Sequence, residues 1–199
     1  MKDFKVIEVK RSIFEDNNAD ADRLREQLKS EGTFLLNLMS SPGAGKTTTL
    51  KRTINMLKDE INIGVMEAGM CHLDADMTRQ GINEFGTKDL DLVFLENVGN
   101  LVCPAEFDTG STKNAMILSV PEGDDKPLKY PLMFTISDVV LINKCDTLSV
   151  FDDFSKKDVE ERIHNLNPNA KVFFVSAKTG EGFEQWTDWL KNELKIYSK

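Results

Sequence analysis

The chain has 199 residues, of which 40% are hydrophobic and 29% are charged. These values are ordinary for a globular protein with one sizeable core. The formal net charge of −8 argues against general nucleic-acid binding, because that activity needs a basic face. No apolar run approaches the ~20 residues that span a bilayer, and the charged start lacks the apolar core of a signal peptide. We therefore expect a cytoplasmic protein with no membrane or nucleic-acid partner.

The first 32 residues predict an N-terminal helical segment. Apolar spacing predicts a helix over residues 3–14, a break and cap at Asn17-Asn18, and a second helix that stops at Gly32. This segment is too short to be a domain. We therefore expect one domain overall, with its main unit at residues 33–199.

Strands alternate with helices through the rest of the chain. After an apolar run at 34–39, strands are predicted at 61–66, 92–95, 116–120, 139–142 and 172–175, and helices at 48–57, 73–84, 154–166 and 182–195. The continuous apolar runs are typical of strands buried on both faces. This pattern predicts an α/β fold with a mainly parallel central sheet flanked by helices, and a ligand at the carboxyl ends of the strands.

Residues 40–47 read SSPGAGKT, and strand, glycine-rich turn, Lys-Thr and helix is the layout of a phosphate-binding P-loop. Backbone N–H groups of residues 43–48 (Gly43, Ala44, Gly45, Lys46, Thr47 and Thr48) would surround the phosphates at the positive end of a helix. Lys46 would reach the β- and γ-phosphates, and Thr47 would bind Mg²⁺. Ser40 stands where the first glycine is usual, so an ordinary glycine-rich turn is the alternative.

An acid-x-x-Gly motif, ENVG at residues 96–99, follows the strand at 92–95. In P-loop enzymes the acid at this strand end holds Mg²⁺ directly or through water, and the N–H of the glycine senses the γ-phosphate. Glu96 and Gly99 would take these roles. The motif is weak alone, because an acid-x-x-Gly sequence at a strand end is common.

Two further motifs favour guanine over adenine. NKCD at residues 143–146 follows a strand, and the carboxylate of Asp146 can accept hydrogen bonds from guanine N1–H and N2–H₂, which adenine cannot donate. Asn143 would support this turn, and the stem of Lys144 would lie over the base. Ser176-Ala177-Lys178 follows the next strand, where such a turn lends a backbone N–H to the guanine oxygen. A polar turn after a strand is the alternative for each.

Cys71, His72 and Cys103 are the candidate metal ligands. Two thiolates and one imidazole suit zinc, or nickel in a square-planar thiolate site. Three ligands are too few for a closed structural site, so water or a symmetry-related copy would complete it. The alternative is that these cysteines are small buried hydrophobic residues, which is what we expect of Cys145.

Together these motifs resemble the HypB family, the nickel-incorporation GTPases of hydrogenase maturation. The resemblance spans nearly the whole chain. Its most specific runs are ENVGNLVCP at 96–104 and SVPEGDDKPLKYP at 119–131. The other runs that carry it are SSPGAGKTT at 40–48, CHLDA at 71–75 and NKCD at 143–146.

The resemblance implies a SIMIBI-type P-loop GTPase that hydrolyses GTP slowly, with catalysis resting on Lys46, Thr47 and Glu96. It implies a homodimer promoted by GTP and by metal, with nickel or zinc held at the interface by Cys71, His72 and Cys103. Its implied partners are a HypA-type nickel chaperone and the hydrogenase large subunit, and some relatives also support urease.

Two departures separate the chain from the family pattern. It lacks the Cys-rich motif or His-rich tract with which some members begin, so the interface-type site should be its one specific metal site. The family also places an α–β unit with a first switch and its Asp between the strand ending at Glu67 and the Cys-His pair. Here residues 68–70 lead straight into Cys71, so no residue can be named for that Asp. Either the protein has lost this unit or the 199 residues omit a flexible switch, and we favour the second explanation.

The spacing of the motifs suggests how nucleotide binding could change metal binding. Glu96 lies seven residues before Cys103, so a shift of that turn driven by the γ-phosphate would move a metal ligand.

The main alternative to a nickel-delivering GTPase is a GTP-dependent dimerising switch or scaffold with a structural zinc site. A urease GTPase with a Cys-Pro-His motif is disfavoured by Ala105, and a P-loop kinase or partitioning ATPase by the motif at 143–146.

Overall fold

The structure, a computed structural model, describes residues 9–69 and 73–198, with side chains of the first helix described from Asp16 onward. The strands are β1 Phe34–Ser40, β2 Ile63–Glu67, β3 Leu92–Gly99, β4 Lys113–Ser119, β5 Val139–Asn143 and β6 Lys171–Phe174. The helices are α1 Val9–Glu31, α2 Lys46–Leu57, α3 Ala75–Phe85, α4 Cys103–Glu106, α5 Lys126–Lys129, α6 Pro131–Thr135, α7 Lys156–Leu166 and α8 Phe183–Tyr197. Short 3₁₀ turns occupy Val120–Glu122 and Cys145–Thr147.

The six strands form one parallel sheet in the order β2-β3-β1-β4-β5-β6. All seven residues of β1 are buried, because this strand lies inside the sheet with helices on both faces. The predicted α/β architecture is therefore confirmed. All carboxyl ends of the strands lie at one edge, where the loops that carry the motifs emerge.

Side chains alternate between the two faces of the sheet, as the period of a strand requires. On β1, Phe34, Leu36 and Leu38 join a core with Leu50 of α2 and Trp186 of α8. On the opposite face, two further clusters are formed, one with α1 and α3 and the other with α6 and α7. The sheet is thus the middle of three layers.

The predicted break at Asn17-Asn18 is wrong, because α1 continues through it from Val9 to Glu31. Asn17 is buried and bonds to distant segments: its Nδ2 donates to the Asp108 carbonyl at 3.0 Å, and its Oδ1 accepts from Ala75 N–H at 2.9 Å. The Asn17 side chain therefore makes its hydrogen bonds without bonding to its own backbone. Bonding of asparagine to its own backbone is what favours a helix cap or turn. The part of the predicted first helix at residues 3–8 lies outside the described residues.

β3 is longer than the prediction and carries the ENVG motif inside the strand. Leu38 pairs with Glu96 and Ser40 with Gly99, with a register shift between them. The strand continues because it has a partner on each side, since β2 also pairs with it as far as Glu96. The α2 helix likewise begins at Lys46, two residues before the predicted start.

The chain passes from β2 to α3 through residues 68–74, of which 70–72 lie outside the described residues. In the strand order, β2 is an edge strand of the sheet. No helix within residues 9–69 and 73–198 is long and apolar enough to cross a membrane.

Candidate functional site

The loop between β1 and α2 depends on two glycines. Gly43 has φ 79° and Gly45 has φ 92°, conformations that residues with a Cβ rarely adopt. A Cβ on Gly45 would also stand 2.4 Å from Nδ2 of Asn143. The Gly-Ala-Gly spacing is thus required both by the backbone of this loop and by its contact with the end of β5.

Glu96 joins the two polar side chains at the start of α2. Its Oε1 accepts a hydrogen bond from Lys46 Nζ at 2.6 Å and another from Thr47 Oγ1 at 2.8 Å. The Lys46 and Glu96 side chains are only 12% and 11% exposed, so this ion pair is shielded from solvent. The separation of the Thr47 and Glu96 oxygens is close to the about 3 Å expected for neighbouring ligands of octahedral Mg²⁺. The pair therefore suits that ion in chemistry and spacing.

Gly99 brings the end of β3 against the P-loop. A Cβ at this position would lie 3.3 Å from the backbone N and Cα of Pro42, closer than packed atoms normally approach. The absence of a side chain is what allows the two backbones to meet. A movement of the P-loop backbone would therefore displace the end of β3 directly.

Asn143 connects the P-loop to the loop after β6. Its buried side chain donates to the Ala44 carbonyl at 2.8 Å and accepts from Ala177 N–H at 3.0 Å. Lys144 follows with φ 60°, the one non-glycine residue with positive φ in the described part of the chain, and its Nζ donates to the Gly43 carbonyl at 2.8 Å. The motif at 143–146 is therefore bonded to the P-loop by its first two side chains.

Asp146 faces the loop after β6. Its Oδ1 accepts a hydrogen bond of 2.6 Å from Ser176 Oγ, which in turn accepts from Thr179 N–H at 3.1 Å. The N–H of Ala177, in the turn predicted to meet the guanine oxygen, donates to Asn143. A base oxygen would have to share that N–H with Asn143.

Two adjoining clefts bring the predicted nucleotide residues together. They share Gly45 and Thr48, so they meet above the start of α2. The first, of about 290 Å³, is lined by Gly45, Thr48, Asn143, Lys144, Asp146, Thr147, Ser176, Ala177 and Lys178. The second, of about 390 Å³, is lined by Ser40, Ser41, Pro42, Gly43, Gly45, Lys46, Thr47, Thr48 and Gly99. Backbone N–H groups and a lysine line one end and a carboxylate the other, an arrangement suited to a ligand with an anionic end and a hydrogen-bonding base.

Glu122 holds the P-loop to the end of β4, a contact that the sequence did not predict. Its carboxylate accepts from Ser41 Oγ on one oxygen, and from Ser119 N–H and Oγ on the other at 2.8 and 2.6 Å. The Ser-x-x-Glu spacing of a capping box was the signal that could have found this contact, but nothing local points to its bond with Ser41.

The described residues contain one of the three predicted metal ligands. Cys103 begins α4 and is partly exposed; its Sγ lies 3.5 Å from the donating Nδ2 of Asn100. Asn100 also accepts from Val102 N–H at 2.7 Å, so it shapes the turn that presents the thiol. Cys71 and His72 lie outside the described residues. Elsewhere in the described chain no three His, Cys, Asp or Glu side chains gather into a metal-binding group.

The thiol of Cys145 differs from that of Cys103. It is buried, and burial, with the carboxylate of Glu181 nearby, raises its pKa to about 11. It therefore stays protonated at neutral pH, whereas a metal ligand must be a thiolate. This confirms the expectation that Cys145 is a packing residue.

Known proteins are similar to this chain in sequence. The CobW/HypB/UreG nucleotide-binding domain matches residues 56–174. The hydrogenase maturation factor HypB of Rhizobium leguminosarum bv. viciae is 38% identical over 215 aligned positions, which cover 96% of this chain and 72% of that protein. The chain belongs to the HypB family.

Solved HypB structures have the same fold. HypB from Archaeoglobus fulgidus superposes with a TM-score of 0.83 at 35% identity, over 90% of this chain and 99% of that one. HypB from Helicobacter pylori, solved in complex with nickel, gives a TM-score of 0.82 at 34% identity, over 92% and 97% of the two chains.

The alignment with the Rhizobium relative is longer than the 199 residues of this chain. That HypB therefore carries residues with no counterpart here. The length difference agrees with the α–β unit expected between Glu67 and Cys71, although its place in the alignment is still a prediction.

Proposed function

We propose that this protein is a cytoplasmic GTPase and nickel metallochaperone that helps to insert nickel into a hydrogenase during maturation, with urease as a second candidate recipient. The observation that carries the proposal is the meeting of the two clefts over Gly45 and Thr48. This meeting joins a phosphate-binding loop to a carboxylate suited to guanine, in a chain of the HypB family.

Guanine selection would rest on Asp146. Its carboxylate would accept from guanine N1–H and N2–H₂, and adenine lacks that donor pair. The Lys144 stem would cover the base while its Nζ stays bonded to the Gly43 carbonyl. The turn at 176–178 would offer a backbone N–H to the base oxygen.

Hydrolysis would rest on Lys46, Thr47 and Glu96. When Mg²⁺ and GTP bind, Thr47 and Glu96 would hold the ion, and Lys46 would exchange the Glu96 carboxylate for the phosphates. The ion supplies a positive charge that neutralises charge developing on the transferred phosphoryl group. As the family resemblance implies, we expect slow turnover.

Nickel would be the cargo, held by Cys71, His72 and Cys103. Gly99, which touches the P-loop, lies four positions before Cys103, so a nucleotide-dependent shift of β3 would move a metal ligand. Zinc would compete for the same ligands, because thiolate and imidazole suit both ions.

A second copy of the chain would complete the metal site. Three large apolar side chains between residues 102 and 132 are exposed: Val102 by 50%, Leu128 by 64% and Leu132 by 50%. They lie on or beside α4, α5 and α6, and both α4 and α5 pack beside α6. Covering this patch in a homodimer would bring two copies of Cys103 towards one interface. A HypA-type nickel chaperone and the hydrogenase large subunit would then be the proteins that supply and receive nickel.

The nucleotide test compares GDP, ADP and XDP binding to the whole chain by calorimetry. We expect a clear preference for GDP, which Asp146→Asn moves towards XDP, because an amide can donate to the C2 oxygen of xanthine where a carboxylate cannot. Asp153→Asn, an exposed neighbour, is the matched control. Equal affinity of the wild type for GDP and ADP would overturn the GTPase proposal.

The metal test measures Ni²⁺ affinity and dimerisation with GTP, with GDP and without nucleotide. Cys103→Ala should abolish tight Ni²⁺ binding and leave the urea midpoint unchanged. A broad loss of stability in that variant would favour the alternative, a GTP-dependent scaffold with structural zinc. Identical Ni²⁺ affinity in all three nucleotide states would refute the coupling.

A further inference from the structure

Arg52, in the middle of α2, holds the loop that follows β6. Its Nε donates to the Ala177 carbonyl at 2.8 Å and its Nη2 to the Lys178 carbonyl at 3.1 Å. The guanidinium carbon also lies 5.5 Å from the centroid of the Phe183 ring. Nothing in the sequence singles out Arg52, because its partners are more than 120 residues away.

We propose that Arg52 is a positioning residue for guanine recognition, which rests on the proposed GTPase function. By fixing two consecutive carbonyls of the loop at 176–180, it would fix the direction of the backbone N–H groups that meet the base oxygen. It would do so from the P-loop helix itself, so the phosphate-binding and base-binding parts of the site are held in one relative position.

The geometry of the peptide bond supports this role. In a trans peptide the C=O and N–H point in opposite directions, so a bond to the Ala177 carbonyl directs the N–H of Lys178 away from Arg52. Asn143 holds the preceding peptide by accepting from Ala177 N–H. Both peptides that flank Ala177 are thus fixed, one by Arg52 and one by Asn143.

A glycine leaves room for the guanidinium. Gly180 has φ 95°, and a Cβ there would stand 2.7 Å from Nη1 of Arg52. An arginine that only covered the surface of α2 would need neither this space nor two acceptors. The planar fork of the guanidinium donates in two fixed directions, which a lysine ammonium cannot reproduce.

The proposal predicts which part of the nucleotide responds. The N–H groups held by Arg52 would meet O6, which guanine and hypoxanthine share, whereas the 2-amino group of guanine would meet Asp146. Loss of Arg52 should therefore weaken GDP and IDP by the same factor and leave their ratio unchanged. The P-loop contacts, made through residues 43–48, should be unaffected.

The experiment measures binding of GDP, IDP and tripolyphosphate to the whole chain by calorimetry. Arg52→Ala should weaken GDP and IDP each by about 10-fold, equivalent to the loss of one hydrogen bond from the loop to O6, with tripolyphosphate affinity unchanged. Arg52→Lys should recover only part of the loss. Lys51→Ala, the exposed neighbour on the same helix, should bind like the wild type, and circular dichroism checks that each variant is folded.

Three results would overturn the inference: unchanged GDP affinity in Arg52→Ala, an equal loss for tripolyphosphate, or full recovery with lysine. The second would mean that Arg52 supports α2 as a whole. A wild type that fails to prefer GDP over ADP would instead refute the underlying GTPase proposal, so the two failures are distinguishable.

Discussion

Lys46 Nζ lies 2.6 Å from Glu96 Oε1, and that same oxygen accepts a hydrogen bond from Thr47. One carboxylate oxygen thus binds both the lysine expected on the phosphates and the hydroxyl expected on Mg²⁺. Since the side chains of Lys46 and Glu96 are largely shielded from solvent, separating them has a cost. Nucleotide binding must therefore rearrange a preformed cluster.

We predict that Glu96→Gln separates nucleotide binding from hydrolysis. The amide keeps the shape of the side chain but removes the negative charge that would hold Mg²⁺, so single-turnover GTP hydrolysis should fall about 10²-fold. GDP affinity without Mg²⁺ should change little or rise, because Lys46 loses its competing carboxylate. Glu96→Asp, which keeps the charge on a shorter stem, is the control. Hydrolysis at the wild-type rate in Glu96→Gln would contradict this role.

The second prediction separates backbone strain from steric clash in the P-loop. Gly43 and Gly45 both have positive φ, but only at Gly45 would a Cβ meet another atom, Nδ2 of Asn143 at 2.4 Å; around Gly43 nothing lies within 4 Å. Both alanine variants should lose about 1 kcal/mol of stability from the strained backbone. Gly45→Ala should also displace Asn143 and abolish GDP binding, measured by calorimetry. Equal GDP affinities in the two variants would show that Asn143 is not held through this contact.

The sequence predicts the sheet well because its information is local. Most strands contain a short apolar run, and the P-loop and residues 143–146 each lie at the carboxyl end of one, so the parallel fold alone brings these two motifs to one edge. What it misses are side chains whose partners are distant in sequence. Asn17 reads as a helix break, since asparagine ordinarily bonds its own backbone, and only the folded chain supplies its partners at Ala75 and Asp108.

In the candidate site, too, the sequence predicts the local motif and misses the contacts between distant residues. Glycine spacing and the Lys-Thr pair define the phosphate side from eight consecutive residues. The contacts that hold this loop to its surroundings come from other elements: Glu122 after β4 and Asn143 at the end of β5. A polar residue in a loop has many possible partners, and its choice depends on packing that no local pattern records.

Asn17 should contribute more to stability than any exposed residue of α1. Asn17→Ala would leave the Ala75 N–H and the Asp108 carbonyl without their partner, and we expect a loss of about 2 kcal/mol in the free energy of unfolding in urea. Asn18→Ala, at the exposed neighbouring position, should leave stability unchanged or slightly raised, because alanine favours a helix interior. Similar values for the two variants would contradict the role of the Asn17 hydrogen bonds.

The last prediction concerns the two described thiols. Because the Cys145 thiol is buried and its pKa is raised to about 11, iodoacetamide at pH 8 should modify Cys103 and leave Cys145 intact in the native protein, with both modified in urea. A Cys71→Ser background restricts the mass-spectrometric count to these two. In the unfolded chain Cys145 should ionise near its ordinary pKa of about 8.5, so the free energy of unfolding should fall as pH rises from about 9 to 11. Cys145→Ala should lose that part of the decline, and an unchanged pH dependence in this variant would refute the raised pKa.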